Sequence, residues 1–338
     1  MTKKKIAVVI LNWNGKALLQ QFLPTVIAYS EEATIYVADN ASTDDSVHFV
    51  SSTFPNVKLI LNKTNGGYAK GYNDALNDVD EEIFCLLNSD VEVTKDWLQP
   101  ILAQFEKEPE TAIIQPKLLD YKNKNHFEYA GAAGGFIDKY AFPYCRGRIF
   151  STVEKDHGQY NDIIPIFWAS GACFFIRKTV FNKLKGFDEL FFAHMEEIDL
   201  CWRAHNLGYT VKYVGNSTVY HVGGATLDSS NPQKTFLNFR NSLFTLTKNS
   251  PTNPAVLIFS RLVLDSLAVF KFLSVFKFQH VFAILKAHFT FYSYLPRILK
   301  DRQTLREQID PLKVSPYYTI KSIVWRFYFK KSKRFSDL

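Results

Sequence analysis

The chain has 338 residues, 47% of them apolar and 15% aromatic, which is enough apolar side chain for a large core and excludes global disorder. The length admits one large α/β domain with an appendage, or two ordinary domains. The net charge of +7 is unevenly placed: residues 255–338 hold 15 Lys and Arg against 5 Asp and Glu, so the earlier part is mildly acidic.

No nucleic-acid partner is expected, because the first part is not basic and carries no reading motif. Cys85, Cys145, Cys173 and Cys201 lie far apart without a C-x-x-C pair. A structural zinc site or disulfide framework is therefore not expected, and a reducing compartment fits. Met1-Thr2-Lys3-Lys4-Lys5 leads straight into a strand, so no signal peptide is expected.

In chain order, Ile6–Leu11 is a continuous apolar run, the pattern of a strand buried on both faces. Leu18, Leu19, Phe22 and Val26 give residues 16–29 helical spacing. A second strand, 34–38, stops at Asp39-Asn40. A helix is then expected with Ser42 or Thr43 as its cap and Asp44 and Asp45 in its first turn. Strand 57–61, the turn Asn65-Gly66-Gly67, helix 68–77 and strand 82–87 follow. This alternation predicts an α/β fold with a mostly parallel, twisted central sheet and right-handed crossovers. Over 111–180 shorter strands and Gly-rich turns are expected, then a helix over 193–207 and a strand over 210–214. Residues 255–300 are rich in Phe, Leu and Val with periodic Lys and Arg, and read as helices.

Ligands of open parallel sheets bind outside the carboxyl ends of the strands. Three such ends deliver polar residues here: Asn12-Trp13-Asn14-Gly15, Asp39-Asn40 and Asn88-Ser89-Asp90. Asp39 could accept the N3–H of a uracil or thymine ring, or simply form a turn. Asp90 is a candidate metal ligand, since one carboxylate plus a ligand's own phosphates is a common way to hold a divalent ion. In Phe191–Arg203, three carboxylates (Glu196, Glu197 and Asp199) sit among bulky apolar residues, where a partly buried acid gains pKa and becomes a candidate general base. His221, followed by Gly223-Gly224, would complete a mixed nitrogen and oxygen site with Asp90, favouring Mn²⁺ over Mg²⁺.

The ordered motifs Val9–Gly15, Val37–Asp44, Asn65–Asn73, Leu86–Asp90, Ala169–Ala172 and Glu196–Leu200 together resemble family 2 glycosyltransferases, most closely the rhamnosyltransferase-like branch of bacterial surface-polysaccharide enzymes. The resemblance spans roughly residues 4–245. It implies a GT-A nucleotide-sugar-binding domain over 1–245, with a helical, basic and aromatic extension over 246–338. It also implies an inverting transfer from a UDP- or dTDP-sugar to a glycan or lipid-linked glycan. Carried over by position, Asn12, Asp39, Asn40, Asn65, Lys70, Asn73, Asn88 and Ser89 would bind the donor, and Asp90 and His221 the metal. Glu197 would act as base, with Glu196 as rival and Asp199 nearby. Two departures stand out: Asn88 replaces the first Asp of the family's D-x-D, and Glu197 stands where Asp is commoner. A catalytically inactive nucleotide-sugar-binding module is the alternative. A nucleotidyltransferase is disfavoured, because no Gly-rich phosphate loop follows Leu11. The tail, with no long uncharged apolar stretch, is expected to lie on an anionic membrane surface, which would place the protein in the cytoplasm on the inner face of the plasma membrane.

Overall fold

The structure is a computed structural model that describes residues 4–223, 231–309 and 316–338. Met1–Lys3 and Gly224 therefore lie outside the described residues. The first half alternates as expected: β1 (Ile6–Asn12), α1 (Lys16–Ala28), β2 (Ala33–Asp39), α2 (Ser46–Thr53), β3 (Lys58–Leu61), α3 (Gly67–Leu76) and β4 (Ile83–Asn88). After the short β5 (Val91–Val93) and α4 (Gln99–Lys107) comes β6 (Thr111–Asp120). Four short strands, β7 (Gly135–Ile137), β8 (Pro143–Cys145), β9 (Arg148–Ile149) and β10 (Thr152–Val153), form a small antiparallel sheet. Then follow β11 (Ile163–Pro165), β12 (Cys173–Arg177), α5 (Lys178–Lys183), α6 (Glu196–Asn206) and β13 (Thr210–His221). The chain closes with α7 (Pro232–Asn249), α8 (Pro254–Ser274), α9 (Phe278–Arg306) and α10 (Ile323–Tyr328).

The central nine-stranded sheet runs β11-β13-β6-β12-β4-β1-β2-β3, with β5 added against β13. The run β4-β1-β2-β3 is parallel, as is the β6–β13 pair, and antiparallel β12 joins the two. The fold is thus mixed α/β with a largely parallel central sheet. The apolar run of β1 has a direct cause: Ala7 and Val9 enter the core on one face, while Ile6, Val8 and Ile10 enter that on the other. β2 and β4 divide their side chains the same way. In register, Asn12 lies beside Asp39 and Leu11 beside Asn88, so the polar strand ends share one edge.

Several local expectations change. α2 starts only at Ser46, because Ser42, Thr43 and Asp44 are already engaged with the turn after β1. Ser42 Oγ accepts from the Asn14 amide (2.9 Å), the Thr43 N–H donates to Asn14 Oδ1 (2.7 Å), and Asp44 accepts from the Lys16 N–H (3.1 Å). β6 and β13 are long strands rather than short ones, and β13 passes through irregular pairing between Val214 and Thr218 before reaching His221. α7 runs unbroken through residues 245 and 246, so the chain turns from one expected unit to the other inside a helix.

The helix expected over 193–207 begins at Glu196, because the backbone before it is not helical. Phe192, His194 and Met195 have φ of 63°, 68° and 73°, a left-handed conformation that costs any residue with a Cβ. This loop is held from two sides. The Phe192 carbonyl accepts the Tyr68 N–H (2.8 Å) at the start of α3, where Gly67 (φ 77°) leaves room that a Cβ would occupy. From α7, the buried Asn241 Nδ2 is shared among the carbonyls of Phe191 (3.0 Å), Ala193 (2.9 Å) and His194 (2.7 Å). Arg240 Nε donates to Asn241 Oδ1 (2.8 Å) and fixes the amide's orientation. Replacing Asn241 by Leu strands those carbonyls, so Asn241→Leu should lower folding stability by about 2–3 kcal/mol. Urea unfolding would show this as a fall in midpoint at unchanged slope.

Candidate active site

The shared strand edge is a hydrogen-bonded ribbon of side chains. The buried Asn12 Nδ2 donates to Asp39 Oδ1 (3.0 Å) and lies 3.3 Å from Ser42 Oγ, while the Ser42 N–H donates to Asp39 Oδ2 (2.8 Å). Asp39 is thereby held in one orientation, and each oxygen still has a lone pair to offer. Asn40 Nδ2 donates to Asn65 Oδ1 (2.9 Å) and the Gly67 carbonyl (3.0 Å), and Asn65 Oδ1 also accepts the Gly67 N–H (3.0 Å). The ribbon thus runs from Asn12 to the start of α3, where it meets the strained loop before α6. Gly15 closes the other side: a Cβ there would lie 2.4 Å from Asn12 Oδ1 and 3.6 Å from Ser89 Oγ. Asn88 is tied through its backbone N–H to the Ala172 carbonyl (2.9 Å), and neighbouring Gly171 accepts from Tyr68 Oη (2.8 Å).

Two residues beyond β4, the buried Asp90 carboxylate lies 3.2 Å from His221 Nε2 at the end of β13. Pairing of β13 with β5 brings them together, with His221 opposite Val91. On the far side, His221 Nδ1 is 3.3 Å from buried Glu128. Burial opposes charge on His221, yet Glu128 and Asp90 outweigh it and lift the imidazole to about 10. Burial likewise works against the Asp90 carboxylate, but the His221 contact more than offsets it and its pKa falls below the usual value. Glu128 escaped the sequence reading: it lies about 90 residues from His221 in no recognised motif, and only the fold of β6 against β13 makes it a neighbour.

The donor set fits a divalent ion. Two ligands at adjacent corners of an octahedral shell are about 3 Å apart, close to the Asp90–His221 spacing. Among the described residues no cluster of three or more His, Cys, Asp or Glu suited to a metal occurs. Side chains alone would therefore leave most of the shell to a ligand's oxygens and water. His221 can ligate only after losing its proton, so loading the site is linked to proton release.

The acidic helix start holds three carboxylates in three environments. Glu196 is only 4% exposed, and burial together with the neighbouring Glu197 charge raises its pKa well above the usual range. Glu197 keeps partial access to solvent, and burial raises it to about 7 against the pull of backbone N–H groups at the helix start. One buried oxygen of each has no hydrogen-bond partner. Asp199, expected beside them in the chemistry, is engaged elsewhere. It is fully buried and accepts from Arg203 Nε (2.8 Å) and Asn249 Nδ2 (2.7 Å), with Lys248 Nζ at 2.8 Å. Burial disfavours its charge, but Lys248 and Arg203 hold its pKa below normal. The bonds from Lys248 and Asn249 tie α6 to α7, and the carboxylate is sealed from solvent.

Two expected donor-site residues have partners of their own within the protein. Asn73 is locked on the backbone of Phe187, accepting its N–H (2.9 Å) and donating to its carbonyl (2.9 Å). Lys70 pairs with Asp74 (2.8 Å) one turn along α3. Arg240, Asn241, Lys248 and Asn249 on α7 were not legible as site residues, since their partners are the backbone carbonyls and the carboxylates of another segment.

Comparison with known proteins agrees with this geometry. The model of the family described as "Glycosyl transferase family 2" matches residues 7–185. The chain is 23% identical over 231 residues to N-acetylglucosaminyl-diphospho-decaprenol L-rhamnosyltransferase of Mycobacterium tuberculosis, covering 64% of this chain and 75% of that protein. It is 22% identical over 246 residues to the low-salt glycan biosynthesis hexosyltransferase Agl10 of Haloferax volcanii, covering 70% and 73%. In fold it is similar to a mannosyltransferase of Pyrobaculum calidifontis solved with GDP-Man and Mn²⁺, with a TM-score of 0.53 at 13% identity over 90% of this chain and 88% of that one. A family match over more than half the chain, the ordered motifs and the shared sheet edge lead to one conclusion: this chain belongs to glycosyltransferase family 2 and has the GT-A fold.

Proposed function

We propose that the protein is an inverting hexosyl- or deoxyhexosyltransferase that moves a sugar from a UDP- or dTDP-sugar to a glycan or lipid-linked glycan in cell-surface polysaccharide synthesis. The observation that carries this reading is the contrast between two acidic centres. Asp90 is kept charged beside His221, while Glu197 is partly exposed and poised near neutrality. A charged centre suits the departing diphosphate, and a carboxylate with a pKa near 7 suits proton abstraction.

In this mechanism Asp39 accepts the N3–H of the pyrimidine ring, held for it by Asn12 and Ser42, with Asn40 and Asn65 closing the nucleotide side. Asn88 and Ser89 border the diphosphate. A divalent cation, Mn²⁺ in preference to Mg²⁺ on a mixed nitrogen and oxygen site, would be held by Asp90 and His221 and would neutralise charge growing on the diphosphate. Glu197 takes the proton of an acceptor hydroxyl as that oxygen bonds to the anomeric carbon. The bond from that carbon to the diphosphate oxygen breaks in the same step, and nucleoside diphosphate leaves. Glu196 is sealed from solvent beside it, and Asp199 positions α6 through Lys248 and Asn249.

Four outcomes test this. Glu197→Gln should lower turnover by about 10²–10⁴-fold while donor binding is retained, measured by nucleoside diphosphate release and calorimetric titration across a panel of nucleotide-sugars. Full turnover by that variant rules Glu197 out as the base. In the wild type, turnover should rise with pH through about 7, because only the deprotonated Glu197 accepts a proton. Its raised pKa also means that the folded state binds more protons than the unfolded chain between about pH 4.5 and 7, so stability from this group is lost as pH rises. Glu197→Gln should therefore melt at a higher temperature than wild type at pH 8, by about 1–2 kcal/mol of stability, and lose that advantage near pH 4. Asp90→Asn should abolish the Mn²⁺ dependence of donor binding without lowering the melting temperature of the metal-free protein by more than a few degrees.

A further inference from the structure

Among the C-terminal helices, α8 is built inside out. On α8 the inward stripe carries charge: Arg261 and Asp265 are each 1% exposed and pair at 3.2 Å. His288 on α9 reaches the same carboxylate at 3.1 Å, and Arg261 donates to Ser242 Oγ (2.6 Å) and the Tyr140 carbonyl (2.9 Å). The outward stripe is apolar: Val256, Phe259, Val263, Leu267 and Phe270 recur every three or four residues and are all exposed. α9 also turns large apolar residues outward, Phe278, Phe282, Leu285, Phe289 and Tyr292, although its inward face is itself mostly apolar, with Val281, Ile284, Phe291 and Ile298 buried beside His280 and Arg302. At the hairpin tip Phe276 is 79% exposed. Water-facing helices show the reverse arrangement, and an apolar face of this extent marks a surface that meets something else.

We propose that α8, α9 and α10 form a membrane-docking surface that inserts shallowly into an anionic bilayer without crossing it. No helix among the described residues is long and apolar enough to span a membrane. Charge selects the occupant. Residues 266–300 contain five Lys or Arg and no acid, and residues 316–336 contain six and no acid. Lys271, Lys277 and Lys286 are exposed between the outward aromatics, where long side chains bury their stems and place the ammonium among headgroups. Lys271 Nζ lies 3.3 Å from Tyr328 Oη, which joins α10 to this face. There the exposed Trp325 stacks on Phe329 (4.2 Å), a pairing suited to the headgroup level. A cavity of about 630 Å³ beside it is lined by Lys321, Arg326, Lys330 and Trp325, cationic and aromatic groups that match a lipid phosphate. A second copy docked through a two-fold axis would instead set Lys against Lys with no acid to answer it. The surface reading is independent of the transfer reading, since neither the donor site nor Glu197 enters it.

The test is flotation of the whole protein with phosphatidylcholine vesicles, with and without a roughly one-third share of phosphatidylglycerol. Wild type should float with the anionic vesicles at least tenfold more than with neutral ones, and partly resist high salt. Phe276→Asp/Phe282→Asp/Phe289→Asp alters only exposed side chains and should abolish flotation, with unchanged circular dichroism and unchanged donor hydrolysis in solution. Lys271→Glu/Lys277→Glu/Lys286→Glu should remove the preference for anionic lipid. Failure of wild type to float with either vesicle overturns the proposal. So does a sedimentation-velocity dimer that the triple Asp variant dissociates, because the face then belongs to a second copy.

Discussion

The geometry of the site depends on one amide. Asn241 on α7 binds the carbonyls of a loop that holds three left-handed residues, and without that clamp nothing in the loop's own sequence favours its path. The loop carries the Phe192 carbonyl to the start of α3 and aims the first turn of α6, so it couples the nucleotide side of the edge to the acidic side. Backbone strain of this kind persists only where surrounding contacts over-determine it. Here those contacts come from two helices more than 150 residues apart in the chain. The ion pair of Asp199 with Lys248 and its bond from Asn249 serve the same end by fastening α6 to α7.

Electrostatics then divides the carboxylates by environment rather than by type. Asp90 has a cationic partner within 3.2 Å and stays charged despite burial. Glu196 and Glu197 share a helix start where burial raises both, and the Glu197 charge raises Glu196 further, so protons are held more tightly there. Asp199, only two residues on, is ionised by Lys248 and Arg203. Three acids within four positions thus differ in their ability to take a proton, and the difference comes from α7, which the motif does not contain.

The same helix links the site to the C-terminal face. The rings of Phe191 and Phe244 lie 6.1 Å apart, and those of Phe244 and Phe291 6.2 Å, so loop, α7 and α9 are packed in sequence. The apolar periodicity of residues 255–300 is ambiguous in the sequence, because a stripe recurring every three or four residues has the same spacing whether it faces core or surroundings. For α8 the buried Arg261–Asp265–His288 network resolves it: the charged stripe is the inner one.

By itself, the sequence determined the elements whose signal is local. The two-sided apolar runs of β1, β2 and β4, the polar strand ends at Asn12, Asp39 and Asn88, and the order of motifs were all readable from neighbours in the chain, and they carry the fold and the family. Tertiary structure decided what depends on distant partners. It set Glu128 behind His221, held Asn73 on the Phe187 backbone and Lys70 on Asp74, and closed Asp199 inside an ion pair with α7. It also left Glu197 partly open to solvent while it sealed Glu196. A side chain's type fixes which bonds it can make, but only packing fixes which partners arrive, and pKa, access and orientation all follow from those partners.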